Sequence, residues 1–305
     1  MVWQKLGRVF VAEGHHDWMR THAAWPRAMH LREDVFRVFF SARNVRGRSH
    51  IAFVDVDVNH PTEILSISAE PVLSPGAVGD FDESGVIPCG IVRLGNGLAL
   101  YYGGLSTASG EPYECFPGLA YFDRDARVAT RAFTTPLLER TDAEPFSGGA
   151  VCVCRDAVTD TFHMWYESSL APALHTGDSI PRFVIKHAIS RDGVRWDRRD
   201  EVSIGDPLGR PYVSNPAVVI EENSFRMWYS YKTSDRYRIG YAESRDGSTW
   251  TRHDDHVGIT PSPGGWDSED VEYPCVFHHG SDLYMLYNGN QYGKTGFGLA
   301  RLARD

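Results

Sequence analysis

Short apolar runs recur along the chain, among them VFRVFF (35–40), IAFVDV (51–56), LALYY (98–102), FHMWY (162–166), FRMWYSY (225–231) and LYMLY (283–287). They are rich in β-branched and aromatic residues, and Gly, Asp, Asn and Pro fill the segments between them. This pattern predicts strands joined by turns. Little of the chain holds the period of an amphipathic helix.

The runs fall into a repeat. SNPAVVIEENSFRMWYSYKTSDRYRIGYAESRDGSTW (214–250) and EYPCVFHHGSDLYMLYNGNQYGKTGFGLARLARD (272–305) each read as a proline, an apolar strand, a turn, an aromatic strand, a loop and a third strand. The template also fits segments beginning WPRAMHL, IPCGIV and GGAVCV, and the third-strand alanines Ala52, Ala120, Ala188, Ala242 and Ala300 stand 68, 68, 54 and 58 residues apart. Five copies of one supersecondary unit follow. Radially set sheets of about four strands make a β-propeller, so the sequence predicts an all-β, five-bladed β-propeller, residues 1–305 forming a single domain. Leu6–Val11 is placed to complete the last sheet. SRDGVRW (190–196) and SRDGSTW (244–250) recur at matching places. Their adjacent Asp-Gly suits a tight turn at positive φ, whereas a sialidase-type Asp-box has a residue between the two. Trp196 and Trp250 are expected to pack back on their own sheets.

Composition narrows the partners. With 31 Lys and Arg against 40 Asp and Glu the net charge is −9, which argues against duplex nucleic acid and anionic membrane surfaces. No apolar run approaches the roughly 18 residues of a membrane span. The N-terminal MVWQKLGRVFVAEGHH lacks a basic segment followed by an apolar stretch, so a cytoplasmic address is expected. Cys89, Cys115, Cys152, Cys154 and Cys275 sit mostly in apolar runs and read as buried free thiols. The His15-His16 and His278-His279 pairs have no helical spacing for zinc. GNQYGKTG (289–296) departs from phosphate-loop spacing and joins two strands.

In a propeller, the segments leading into the innermost strands form the rim of a central channel. Two such segments are densely acidic: Asp80, Asp82 and Glu83 in one, and Asp267, Glu269, Asp270 and Glu272 in the other. Carboxylates converging from different strands supply the acid and base of glycoside cleavage, with crowding driving their pKa values apart. Acidic surface turns are the plain alternative. Trp25, Tyr212, Trp266 and Tyr273 on the rims, with Tyr101 and Tyr102, suit stacking on a sugar ring or packing between sheets. Of the second-strand pairs Tyr101-Tyr102, Trp165-Tyr166 and Trp228-Tyr229, alternation assigns about half to the core. Arg43, Glu167, Lys232 and Asn288 lie near second-strand ends and point along the same channel if the strands run outward in register. Arg27 and Arg43 either grip a carboxylate or phosphate or pair with a rim carboxylate. His22 is a hydrogen-bonding, proton-transferring or structural histidine.

FDESGVIPCGIV, MWYSYK, IGYAESRDG, WDSEDVEYPCVF and LYMLYNGNQYGKTGFGLA resemble the five-bladed propeller glycosidase superfamily of arabinanases, invertases, levansucrases and mannoside phosphorylases. Closer still is the resemblance to glycosidase-like proteins encoded with bacterial surface-polysaccharide genes, and to the N-terminal domain of plant inositolphosphorylceramide glucosaminyltransferases. It spans about residues 20–302. The superfamily implies a funnel with three acidic residues on separate blades, and hydrolysis or glycosyl transfer. In this chain Trp25 precedes Pro26 where the hydrolases usually carry their general base, and the third-blade EPFSGGAV lacks the Glu-Cys motif of the invertases. The closer resemblance points to Asp82 and Glu269 as the working carboxylates, with Glu83 beside them.

Three readings stay open, and the dense acidic rims favour the first, a carbohydrate-active enzyme with a central acidic funnel. A glycoside-active enzyme needs two carboxylates facing each other across the mouth. A non-catalytic carbohydrate-binding protein needs aromatic and hydrogen-bonding groups but no such pair. A polysaccharide-biosynthesis protein binding a sugar phosphate or nucleotide sugar needs a basic pocket, from Arg27, Arg43 and Lys232. A divalent cation such as calcium at the channel is compatible with the carboxylates and amides of the rim.

Overall fold

The computed structural model describes residues 1–107, 114–146, 148–171, 182–205, 212–222, 224–233 and 236–304. Ser147 and residues 209–211, in two of the lead-in segments, lie outside them. The regular structure of the described residues is almost all strand, with very little helix. β1 (Trp3–Phe10) is followed by an antiparallel meander of β2 (Thr21–Arg32), β3 (Val35–Arg43), β4 (Ser49–Asp57) and β5 (Ile64–Ile67). The next is β6 (Gly85–Leu94), β7 (Gly97–Ser106), β8 (Glu114–Phe122) and β9 (Ala129–Arg131), joined to the first by one parallel bridge, Ser49 to Gly85. β10 (Val151–Asp156), β11 (Thr161–Ala171), β12 (Arg182–Ser190) and β13 (Asp197–Ile204) form another sheet. So do β14 (Val213–Ile220), β15 (Phe225–Thr233), β16 (Arg236–Ser244) and β17 (Thr251–Arg252). β18 (Glu272–His279), β19 (Asp282–Asn288) and β20 (Phe297–Leu302) take β1 as their fourth strand, antiparallel to β20. The strand expected at residues 6–11 thus begins at Trp3.

The leading strands of these sheets are neighbours in space. β2 packs against β6 and β18, β6 against β10, β10 against β14, and β14 against β18. Outside them, the faces of successive sheets bury one another. Neighbouring second-strand aromatics therefore go to opposite layers: Tyr101 packs with Val151 and Met164 of the following sheet, Tyr102 with Phe39 and Phe53 of the preceding one. All six of Tyr101, Tyr102, Trp165, Tyr166, Trp228 and Tyr229 are buried. Alternation assigned only half of them to the core because it allows a sheet one buried face; these sheets have two.

The SRDG turns fasten one sheet to the next. Gly193 and Gly247 adopt φ of 72° and 73°, and Ser190 and Asp192, like Ser244 and Asp246, accept the N–H groups of their turns. The carbonyl each turn leaves over accepts a hydrogen bond from an aromatic side chain of the preceding sheet. Tyr101 Oη donates to Gly193 O at 2.6 Å and Trp165 Nε1 to Gly247 O at 2.8 Å. Trp250 Nε1 also donates to Gly247 O, so the tryptophan does fold back on its turn. Beside this clasp, His163 Nδ1 lies 3.0 Å from His187 Nε2, and His187 Nδ1 lies 3.1 Å from Ser248 Oγ. Burial, then the His163 charge, pushes the His187 pKa down from 6.5 to about 4.

Two outcomes are expected. Tyr101→Phe leaves the Gly193 carbonyl buried without its donor and should cost about 1–3 kcal/mol in a urea unfolding titration. The unfolded chain takes up protons near pH 6.5 that the folded His187 refuses until about pH 4. Its contribution to stability is therefore complete above that window and declines as pH falls through it. Thermal melts of wild type and His187→Gln compared at ~pH 7.5 and ~pH 5 should show the smaller acid loss in the variant.

Candidate functional site

Four leading strands carry an X-Pro step: Trp25-Pro26, Ile87-Pro88, Asn215-Pro216 and Tyr273-Pro274. Proline has no N–H for the ladder and is tolerated within a sheet at a bulge. The pairing register accordingly slips at Ala24/Arg27, Pro88/Gly90, Ser214/Ala217 and Glu272/Cys275. Trp25, Asn215 and Tyr273 are driven to φ of 53°, 51° and 54°, a costly conformation for such side chains. The bulges turn these residues toward the centre. Trp25, Ile87, Asn215 and Tyr273, with Ala150 from the proline-free sheet, line one cavity of about 350 Å³.

Glu167, near the end of β11, also lines this cavity. Its Oε1 accepts the Asn215 N–H at 3.1 Å. A Cβ on Gly149 would stand 2.8 Å from Glu167 Oε2, so this glycine makes room for the carboxyl. Burial outweighs the hydrogen bond and raises the Glu167 pKa to about 7. Opposite in character, Trp25 and Tyr273 stack with ring centres 4.5 Å apart. Trp25 Nε1 and Asn215 Oδ1 are buried and lack partners among the described residues, one a donor and the other an acceptor at the cavity wall. Asn288 positions this wall. Its Oδ1 accepts the Trp25 N–H at 2.9 Å, and its Nδ2 donates to Ala23 O and Gly296 O at 2.6 and 2.9 Å.

The other candidates separate into groups. Arg43, Tyr212 and Tyr273 line the cavity. The Lys232 ammonium lies 4.8 Å from the ring centre of Tyr237 and 5.8 Å from those of Tyr212 and Tyr292, all cavity residues. His22 stands beside the mouth, its pKa lowered to about 4 by burial and by Arg43 and Lys294. Arg27 is buried and bonds backbone instead of a rim carboxylate: Nε to Cys89 O at 2.6 Å, and Nη1 to Pro26 O and Pro274 O at 2.9 and 3.4 Å. It ties β2, β6 and β18 together.

Of the acidic rims, none of the carboxylates is among the residues that line the cavity. Asp82 is fully buried against Arg131, with Nη2 at 2.7 Å, beside the buried Tyr102. Glu83 accepts the Gly79 N–H at 2.8 Å within the same turn. Glu269 is an exposed partner of Arg236 at 2.6 Å. Asp267 accepts Lys5 Nζ at 2.6 Å and Tyr287 Oη at 3.0 Å, pinning β1 to the last sheet. Asp270 accepts the Tyr237 N–H at 2.9 Å. Glu272 is wholly buried, and burial together with Asp270 holds its pKa well above the usual carboxylate range. Among the described residues no three His, Cys, Asp or Glu side chains gather to hold a metal ion, and all five cysteines are free thiols. Among the described residues no helix is long and apolar enough to cross a membrane.

Sequence reasoning passed over Asn215, Tyr237 and Tyr292. Asn215 carried a signal, since it precedes proline at the repeat position of Trp25 and Tyr273. Tyr237 and Tyr292 carried none; Tyr292 reaches the cavity from a helical turn, Asn290–Gly293, with φ of 58°.

No family model matches the chain. Solved structures share its fold. One described as a glycoside hydrolase superposes with a TM-score of 0.72 at 17% identity, covering 99% of this chain and 92% of the other. A thermostable family-43 glycoside hydrolase gives 0.63 at 15%, covering 93% and 91%. A structure from work on the GH130 family of mannoside phosphorylases, which contains hydrolases of β-1,2 mannosidic linkages in Candida mannan, gives 0.68 at 13%, covering 98% and 93%. At these identities the likeness is one of fold. In sequence, the uncharacterized proteins MT1551 and Rv1502 of two Mycobacterium tuberculosis strains (CDC 1551 / Oshkosh and ATCC 25618 / H37Rv) are each 42% identical over 304 residues, 99% of both chains. The chain belongs to the family of MT1551 and Rv1502, built on the fold of the propeller glycosidases.

Proposed function

We propose that this chain is a carbohydrate-active enzyme, a single five-bladed propeller whose cavity takes a sugar and whose Glu167 transfers the proton. The adjacency of β2, β6, β10, β14 and β18 in a cycle supports the five-bladed reading. The observation that carries the functional one is Glu167: a buried carboxyl with a pKa near 7, in a cavity walled by Trp25 and Tyr273 and offering one unpaired donor and one unpaired acceptor. Apolar walls with a few convergent polar groups are the usual make-up of a small-ligand site. A carboxyl of that pKa is half protonated at neutral pH, the condition under which it hands a proton to a leaving glycosidic oxygen.

In this reading the funnel is aromatic, with one working carboxyl on its wall. Catalysis passes from Asp82 and Glu269, both engaged by arginines, to Glu167. Attack at the sugar carbon then falls to water or to an acceptor group brought by the substrate, because no second carboxylate faces Glu167 across the described cavity. Asn215 and Asn288 act as positioning residues for Glu167 and Trp25.

The test is a thermal-shift and turnover screen of wild type and Glu167→Gln against methyl glycosides, nitrophenyl glycosides and glycosyl phosphates. Stabilisation of both proteins by the same sugars, with turnover about 10²–10⁴-fold slower in the variant, is the expected result. Equal turnover removes Glu167 from the mechanism. Binding without turnover in wild type makes the protein a carbohydrate-binding module, and stabilisation by no sugar overturns the reading. Because the protonated carboxyl is the active form, turnover should fall about tenfold per pH unit above the Glu167 pKa and level off below it.

A further inference from the structure

The central cavity opens onto two side grooves. One, sharing Arg43 with it, includes Arg20 and His22; the other, sharing Tyr237 and Tyr292, includes Arg236, Lys294 and again His22. Among the described residues, Arg43, Lys232 and Lys294 have no carboxylate within ion-pairing distance. His22 lines one groove with Arg43 and the other with Lys294, its Nδ1 3.0 Å from Thr21 Oγ1 and its imidazole neutral at pH 7 because burial and both charges lower its pKa. Lys232 lies against three cavity tyrosines, of which Tyr237 and Tyr292 also line the second groove.

The acidic groups nearby do not balance these cations. Glu269 is taken by Arg236 at 2.6 Å, and Asp270 by the Tyr237 and Gln291 N–H groups with Arg236 at 3.8 Å. Glu13 is exposed at the outer lip of the first groove. Glu167 and Glu272 are buried carboxyls whose pKa values lie above the ordinary range. A chain of net charge −9 thus turns locally positive at one mouth, the field that draws in an anion.

We infer that the sugar taken into the cavity carries a phosphate ester, whose oxygens are held between Arg43, Lys294 and Lys232 with a hydrogen bond from His22. This rests on the carbohydrate reading and names its substrate class. It also redraws the basic pocket expected from sequence: Arg27 leaves it, buried outside the cavity and grooves with Nε and Nη1 on three backbone carbonyls, and His22 and Lys294 enter it. Lys294 comes from the GNQYGKTG segment, whose spacing fits no phosphate loop.

Isothermal titration of wild type with a methyl hexoside, the matching hexose 1-phosphate, a nucleoside diphosphate hexose and inorganic phosphate, each at low and high salt, tests the assignment. The phosphorylated sugars should bind about tenfold or more tighter than the hexoside, the yield of a charge-assisted hydrogen bond, and lose that margin as salt rises. Whichever ester binds tighter identifies the source of the phosphate. Lys294→Gln and Arg43→Gln should narrow the margin, and the wild-type salt dependence decides the matter if either variant fails to fold. Equal binding of hexoside and hexose phosphate overturns the inference and leaves the carbohydrate reading standing. Inorganic phosphate binding as tightly as the hexose phosphate, with no binding of hexoside, overturns both.

Discussion

A proline cannot donate a hydrogen bond to a β-ladder, and the site of this protein depends on that limitation. Where Pro26, Pro88, Pro216 and Pro274 interrupt pairing, each leading strand slips register beside them, and Trp25, Ile87, Asn215 and Tyr273 are presented to a common centre. Three of these residues bear a left-handed backbone that a Trp, Asn or Tyr would not adopt freely. The surroundings that impose it are identifiable. Asn288 grips the Trp25 N–H, Glu167 grips the Asn215 N–H, and Ser230 Oγ accepts the Tyr273 N–H at 2.8 Å.

The same sheets that supply the centre are held to one another by hydrophobic layers and a few directed bonds. Each second strand sends one aromatic residue forward and one backward, so every layer is shared between two sheets. Polar fasteners such as Tyr101 on Gly193 and Trp165 on Gly247 set the lateral register of sheet against sheet, which dispersion alone leaves loosely defined. Buried charges follow the same economy. Arg27 donates to carbonyls of three leading strands, and Arg131 neutralises the buried Asp82.

Much of the fold was legible because a repeat declares itself in spacing: the five alanines, the aromatic second strands and the recurring SRDG turns all lie where the meanders require them. The number of buried faces was harder, because alternation within one strand says nothing about a neighbouring sheet that arrives from a distant part of the chain. The site was legible only in part. X-Pro steps were visible, and Trp25 and Tyr273 were chosen as aromatic residues beside them, but Asn215 at the same step was passed over for the aromatic Tyr212. The resemblance, on acidic rims, favoured Asp82 and Glu269, whose partners Arg131 and Arg236 lie 49 and 33 residues away in sequence and cannot be paired without coordinates. Glu167 stands alone in an aromatic run, and only its burial reveals how readily it holds a proton.

The bond from Asn288 to Trp25 crosses 263 residues of sequence, and Lys5 to Asp267 crosses 262. Both join the opening of the chain to its final sheet. During synthesis, the strand that carries Trp25 leaves the ribosome long before Asn288, so its bulge has no clamp until the intervening sheets have emerged. The cavity is therefore assembled last, after nearly all of its framework exists. A chain lacking Asn288 would hold most of the sheets without this clamp, so ligand recognition itself reports that the sheet of β18–β20 has docked on β2.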